Sequence, residues 1–173
     1  LKFLKDWSYK RKLQNQIETQ SSPKQDSLNV GKQIGVVFDY QDKNDLEFLK
    51  NLKAEFRAEG KFVKLLGYVD DDVEVGLLDF KAFSRKELTW EGIPKSIAVQ
   101  EFLDHKYDIF FYAVRNHTRP LEFISIVSQS KLKIGTYQES LQDYYDILVD
   151  IKPQTRINDI FDQFLKHIKF LSN

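Results

Sequence analysis

The chain has 173 residues with 26 basic and 26 acidic side chains, a formal net charge of zero; it is about one domain long, and the balance excludes a strongly basic nucleic-acid coat or an acidic tail protein. Hydrophobic residues make up 42% and aromatics 14%, with 14 Phe, enough for a packed core and too much for a disordered chain. With no cysteine, disulfides, thiolate metal sites and cysteine nucleophiles are excluded.

Residues 1 to 24 carry Lys2, Lys5, Lys10, Arg11, Lys12 and Lys24 against Asp6 and Glu18, a charge of +4 that leaves −4 on residues 25 to 173. The neutrality is thus an average of two unlike parts. Phe3, Leu4, Trp7, Leu13 and Ile17 recur there at partly helical spacing, so a basic helical extension is expected. Gln14 to Gln33 holds only Ile17, Leu28 and Val30 as aliphatics among Asn, Gln, Ser, Pro and Lys, a linker composition. It places a boundary near Asp26, with residues 1–25 as extension and linker and 26–173 as the folded domain.

The domain then alternates. Gln33 to Asp39 is a β-branched apolar run, the signature of a strand buried on both faces. Asn44-Asp45-Leu46-Glu47 offers an Asx cap at Asn44, and Leu46, Leu49, Leu52 and Phe56 keep helical spacing until Gly60. Phe62 to Val69 is a second strand. Residues 70 to 95 read as irregular structure with one short strand and a capping-box match at Ser84-Arg85-Lys86-Glu87. Ser96 to His105 reads as a short helix, Tyr107 to Val114 as the central strand, and Pro120 as the first residue of a helix reaching Gln129. Leu132 to Tyr137 and Tyr145 to Ile151 are two more strands. After Pro153, Ile157, Ile160, Phe161, Phe164, Leu165, Ile168 and Leu171 mark an amphipathic, core-facing helix. This pattern predicts a Rossmann-like three-layer α/β sandwich: an open, mostly parallel sheet of five or six strands, helices on both faces, and the basic extension.

Doubly wound folds bind ligands at the carboxyl ends of their strands. The first such junction, Phe38-Asp39-Tyr40-Gln41-Asp42-Lys43-Asn44-Asp45, contains no glycine, so neither a dinucleotide fingerprint nor a P-loop is formed there and no cofactor is expected. Asp39 is a candidate catalytic or metal-holding carboxylate, or a plain helix-entry or turn residue. Asp70-Asp71-Asp72-Val73-Glu74 mimics the start of a calcium loop, but Val75 stands at the glycine position and Lys81 at the closing glutamate, which leaves a solvated acidic loop. Arg115, Asn116, His117 and Arg119 precede the Pro120 helix and suit an anion such as phosphate or carboxylate; the structural alternative pairs the arginines with local acids such as Glu122. His105, His117 and His167 are too scattered to imply a metal site. Ser128-Gln129-Ser130-Lys131 matches an acyl-enzyme motif without its companions.

The longest apolar runs, such as Ile109 to Val114, fall well short of the roughly 18 to 20 residues that cross a bilayer. Leu1 to Asp6 has neither an h-region nor a cleavage site, so no intact signal peptide and a cytoplasmic location are expected. Lys10, Arg11, Lys12 and Trp7 form a candidate docking arm for an anionic surface, whether RNA, a ribosome or a membrane. Packing of that helix on its own domain, a protein partner, or a homodimer are the other readings of it.

Gly35-Val36-Val37-Phe38-Asp39, Val63 to Val69, Phe83 to Pro94, Lys133-Ile134-Gly135-Thr136-Tyr137 and Tyr145 to Asp150 resemble an uncharacterised single-domain Rossmann-like family of Bacteroidetes-type bacteria. The resemblance covers nearly the whole chain and implies fold and source. Tyr107-Asp108-Ile109 and Lys133-Ile134-Gly135 are also similar to the N-terminal half of heptosyltransferase-like glycosyltransferases. Those enzymes hold a nucleotide sugar with a second domain that this length does not accommodate. The central strand here also ends in Phe111-Tyr112-Ala113-Val114-Arg115 rather than an acidic residue, and no catalytic residue is carried over. Two functions are therefore expected to compete. One is a non-catalytic interaction or ligand-binding module docking through its basic arm. The other is a small transferase-like or phosphate-ligand enzyme built on Arg115, Asn116, His117, Arg119 and Asp39.

Overall fold

A strand covered by helices on both sides has no polar face to spare, and β1 (Gln33–Asp39) is buried from Ile34 to Asp39. Around it the computed structural model describes residues 2–18 and 32–171; the expected boundary near Asp26 lies outside them. In chain order follow α1 (Lys2–Glu18), β1, α2 (Lys43–Ala58), β2 (Phe62–Val69), β3 (Ala82–Ser84), α3 (Ile97–Leu103), β4 (Lys106–Ala113), α4 (Arg119–Val127), β5 (Gln129–Thr136), β6 (Ile147–Val149) and α5 (Ile157–Leu171). The six strands form one sheet in the order β3-β2-β1-β4-β5-β6. Every neighbouring pair is parallel, so the expected open α/β sandwich is present, with a sheet that is parallel throughout.

Side-chain alternation divides the apolar residues into two cores. Val37, Leu66, Phe110, Tyr112 and Val114 face α3 and α4, whose Val99, Phe102, Leu121 and Ile124 cover them; Tyr9 of α1 joins this layer. Ile34, Val36, Phe38, Phe111 and Ala113 face α2 and α5, which supply Leu49, Leu52, Ile160, Phe161 and Phe164. Phe111 stacks on Phe164 with ring centroids 5.6 Å apart, and each such fully buried side chain contributes about 2 to 3 kcal/mol of transfer free energy. Gly135 lies where the chain must pass beneath Tyr145: an added Cβ would stand 2.7 Å from Tyr145 Cε1.

The boundaries depart from the expected ones for identifiable reasons. The α2 cap is Asp42 rather than Asn44: its Oδ1 accepts from the Asn44 and Asp45 amides at 2.7 and 3.2 Å, which frees Asp45 to turn inward. The helix ends in a Schellman motif, with Gly60 at φ 79°, Gly60 N–H donating to the Arg57 carbonyl and Lys61 N–H to that of Phe56. α4 begins at Arg119, one residue before Pro120, and stops at Val127. β5 starts at Gln129, three residues earlier than its apolar run, because parallel pairing with Lys106 and Tyr107 recruits the polar Gln129 and Ser130. The acidic loop after β2 is exposed and faces Arg85, which lies 3.3 Å from Asp71.

Candidate functional site

The strand order reverses between β1 and β4, and the carboxyl ends of these strands define the crevice where doubly wound folds receive ligands. Asp39 closes β1 and Arg115 follows β4 by two residues. The structure joins them directly. Asp39 Oδ1 accepts from the Arg115 amide at 3.0 Å and from its Nε at 3.4 Å, while Oδ2 accepts from the Asn116 amide at 3.1 Å and from Gln41 Nε2 at 2.9 Å. Asp45, one turn into α2, takes the outer edge of the same guanidinium as a fork, Nη2 to Oδ2 at 2.6 Å and Nη1 to Oδ1 at 3.1 Å. The remaining contact runs from Nη2 to the Asp39 carbonyl at 2.9 Å. Arg115, Asp39 and Asp45 side chains are only 5 to 7% exposed. Burial opposes the charge on Arg115, but the Asp45 and Asp39 carboxylates prevail and hold its pKa above the ordinary value. This bidentate, buried geometry ties both carboxylates to the β4 end.

The side chains of the neighbouring candidates lie apart from this cluster. Asn116 contributes its backbone amide, and its side chain is exposed. His117 is half-buried with Nδ1 3.1 Å from Tyr112 Oη and its ring stacked on that tyrosine; burial lowers its pKa. Arg119 turns the other way, toward α1. Its Nη2 pairs with Asp6, its Nη1 donates to the Glu91 carbonyl at 3.3 Å, and its guanidinium lies 4.8 Å over the Tyr9 ring. A cleft of about 280 Å³ lined by Lys10, His117, Arg119 and Glu122 opens between α1 and α4.

α1 is held to the body by one of its faces. Tyr9 is 5% exposed, packs at 6.3 Å from Phe123, and donates to the Arg119 carbonyl and Glu122. Leu13 and Ile17 continue this seam one and two turns on. Below it sits Glu91, 3% exposed, whose Oε1 accepts from Ser8 at 3.0 Å and from Lys12 Nζ at 2.7 Å. The Lys12 hydrogen bond, with help from Thr89 and Ser8, pulls Glu91 down to about 2. The opposite face is free of the body: Phe3, Leu4 and Trp7 are 78, 55 and 53% exposed, and Arg11 lies 5.3 Å over the Trp7 ring. Lys2, Lys5, Lys10 and Arg11 are exposed around them.

Tyr9, Asp45 and Glu91 were not legible as functional or positioning residues. For Tyr9 the signal existed in the i, i+4, i+8 seam of Tyr9, Leu13 and Ile17. Nothing local to Asp45 or Glu91 marks their partners, which lie 70 and 79 residues away. Tyr68, near the end of β2, is packed inside at 3% exposure, whereas Trp90 and Tyr137 are exposed.

Among the described residues no group of three or more His, Cys, Asp or Glu is placed to hold a metal ion, and no helix is long and apolar enough to cross a membrane. No curated protein and no solved structure matches the chain. One family model does, across residues 5–171, from the seam of α1 through α5, and the chain accordingly belongs to that family, the family of unknown function DUF6913.

Proposed function

We propose that the protein is a non-catalytic Rossmann-like interaction module that docks through the outward face of α1. The observation that carries this reading is the division of labour on that helix. Tyr9, Leu13, Ile17, Lys12 and Asp6 fasten it to the body, while Phe3, Leu4 and Trp7 stay exposed beside Lys2, Lys5, Lys10 and Arg11. Contiguous exposed aromatics on a helix fixed in place are the mark of an interaction surface rather than of an incompletely packed one. The enzyme alternative needs Asp39 and Arg115 to face a ligand, and instead they engage each other, with Arg115 also paired to Asp45. His117 and Arg119 line the cleft beside α1, where Glu122 and the Asp6 pair offset cationic charge, which favours that alternative less than the module. Within this reading we place the protein in the cytoplasm of a Bacteroidetes-type bacterium, the location and source expected from the sequence.

The test is a chain carrying F3S, W7S and R11E, all at exposed positions, compared with wild type by size-exclusion of cell extract. Wild type is expected to elute in part with larger material and the variant as a free monomer, at unchanged melting temperature. Coincident elution of the two would defeat the reading.

A further inference from the structure

Resting on the docking reading above, we infer that the occupant of the α1 outer face is an anionic lipid bilayer surface. Phe3, Leu4 and Trp7 project from the first two turns, each more than half exposed. An indole at a fixed helix surface suits the headgroup boundary, with neighbouring apolar groups reaching the acyl edge. Charge selects the surface. Arg11 lies among these residues and Lys10 at the edge of their face, with Lys2 and Lys5 exposed elsewhere on the same helix, while Asp6 is turned inward and neutralised by Arg119. The body that follows carries −4 over residues 25 to 173, so an anionic plane repels it and attracts α1, which orients the molecule with this face down.

The same features disfavour other occupants. A second copy meeting this face about a two-fold axis would bring Arg11 and the neighbouring cations of the helix close to their own duplicates. A single-stranded nucleic acid needs successive ring faces for stacking; Leu4 has none and the Trp7 ring is already covered by Arg11 at 5.3 Å, which leaves Phe3 as a single platform on this face. Nor is the helix available to fold away on its own domain, because its other face is already occupied by Tyr9 and the Lys12–Glu91 pair.

The experiment uses the full chain with Trp90, itself 60% exposed, replaced by Phe so that Trp7 is the only indole. It is mixed with vesicles of phosphatidylcholine alone, with vesicles of equal parts phosphatidylcholine and phosphatidylglycerol, and with a uridine oligonucleotide. Expected are co-sedimentation and a blue shift of Trp7 emission with the anionic vesicles, and partitioning weaker by on the order of a hundredfold into neutral ones. Rising salt should reverse the binding, and both F3S/L4S and K5E/R11E should abolish it at unchanged melting temperature. The inference fails if neither vesicle is bound, if both are bound equally, if the oligonucleotide is bound in preference, or if Trp7 is already blue-shifted in a dimer without lipid. A failure on vesicles accompanied by a discrete protein contact at position 7 in cells leaves the docking reading standing and removes only the lipid. Failure of both removes both.

Discussion

Replacing Arg115 by Met removes the cation that pairs with both Asp39 and Asp45 across the β1–β4 crevice while keeping the length of the side chain. The loss can be worked from the contacts. Arg115 side-chain nitrogens donate to both Asp45 oxygens, to Asp39 Oδ1 and to the Asp39 carbonyl, and the two carboxylates are 7% and 6% exposed. Breaking a buried pair from one side leaves uncompensated charge and costs about 3 to 5 kcal/mol. At this chain length that lowers the melting temperature by ~10 °C. Chemical denaturation followed by circular dichroism measures it, with R156M as the control. Arg156 is 76% exposed and pairs with Asp159 one turn away, so that variant should stay within about 0.5 kcal/mol of wild type. A cycle of R115M, D45N and the double variant should give a coupling of about 2 kcal/mol, because the neutral amide that D45N introduces needs no counter-charge. A loss below about 1 kcal/mol in R115M, or additive single effects, would refute the assignment of Arg115 as the structural tie of the crevice.

Lys133 is 8% exposed and donates to the Ser125 and Ile126 carbonyls at the end of α4, and burial depresses its pKa to about 8. The native state therefore binds fewer protons than the unfolded chain between about pH 8 and the ordinary lysine value. Unfolding free energy should rise by about 2 kcal/mol from about pH 7 to 9.5, and K133M should remove that slope in parallel denaturation series. Y9A should release α1 without unfolding the sheet, so that hydrogen exchange of residues 2–18 speeds at least about tenfold while β1 and β4 amides stay protected. E91Q should weaken the same seam; with Glu91 held at about 2, its contribution is fully present above the unfolded glutamate range and is lost as pH falls toward 2, read as faster α1 exchange in acid. G135A forces a Cβ to 2.7 Å from Tyr145 and 3.0 Å from Tyr112 Cβ, and a loss of about 1 to 3 kcal/mol in denaturation is expected; a neutral result would mean that the sheet relaxes there freely.

The layers of this fold were readable because their signals are local. The apolar runs at Ile34 to Phe38 and Ile109 to Ala113 mark strands buried on both faces, and the Phe161, Phe164 and Ile168 spacing marks a covering helix. Their order across the sheet was not readable, since parallel strands are joined through crossovers and carry no sign of their neighbours. Asp39 and Arg115 were recognisable as strand-end residues, but the third member of their cluster, Asp45, was not, because it sits in the first turn of α2, which Asp42 caps two residues before the Asn44 cap expected. The apolar residues of α1 keep only partly helical spacing for a physical reason: they lie on two faces. Tyr9, Leu13 and Ile17 pack against the body and Phe3, Leu4 and Trp7 point out, so a sum over both cancels the amphipathic signal.

The claim that this module works through the outer face of α1 is tested most directly by placing a photo-reactive phenylalanine analogue at position 7 and, separately, at position 53, an exposed site on α2. The chains are irradiated in living cells, and the cross-linked species are resolved by mass spectrometry. The account predicts a reproducible adduct, lipid or macromolecule, from position 7 and none from position 53. Equal background from both positions, or a specific adduct from position 53 alone, would contradict it.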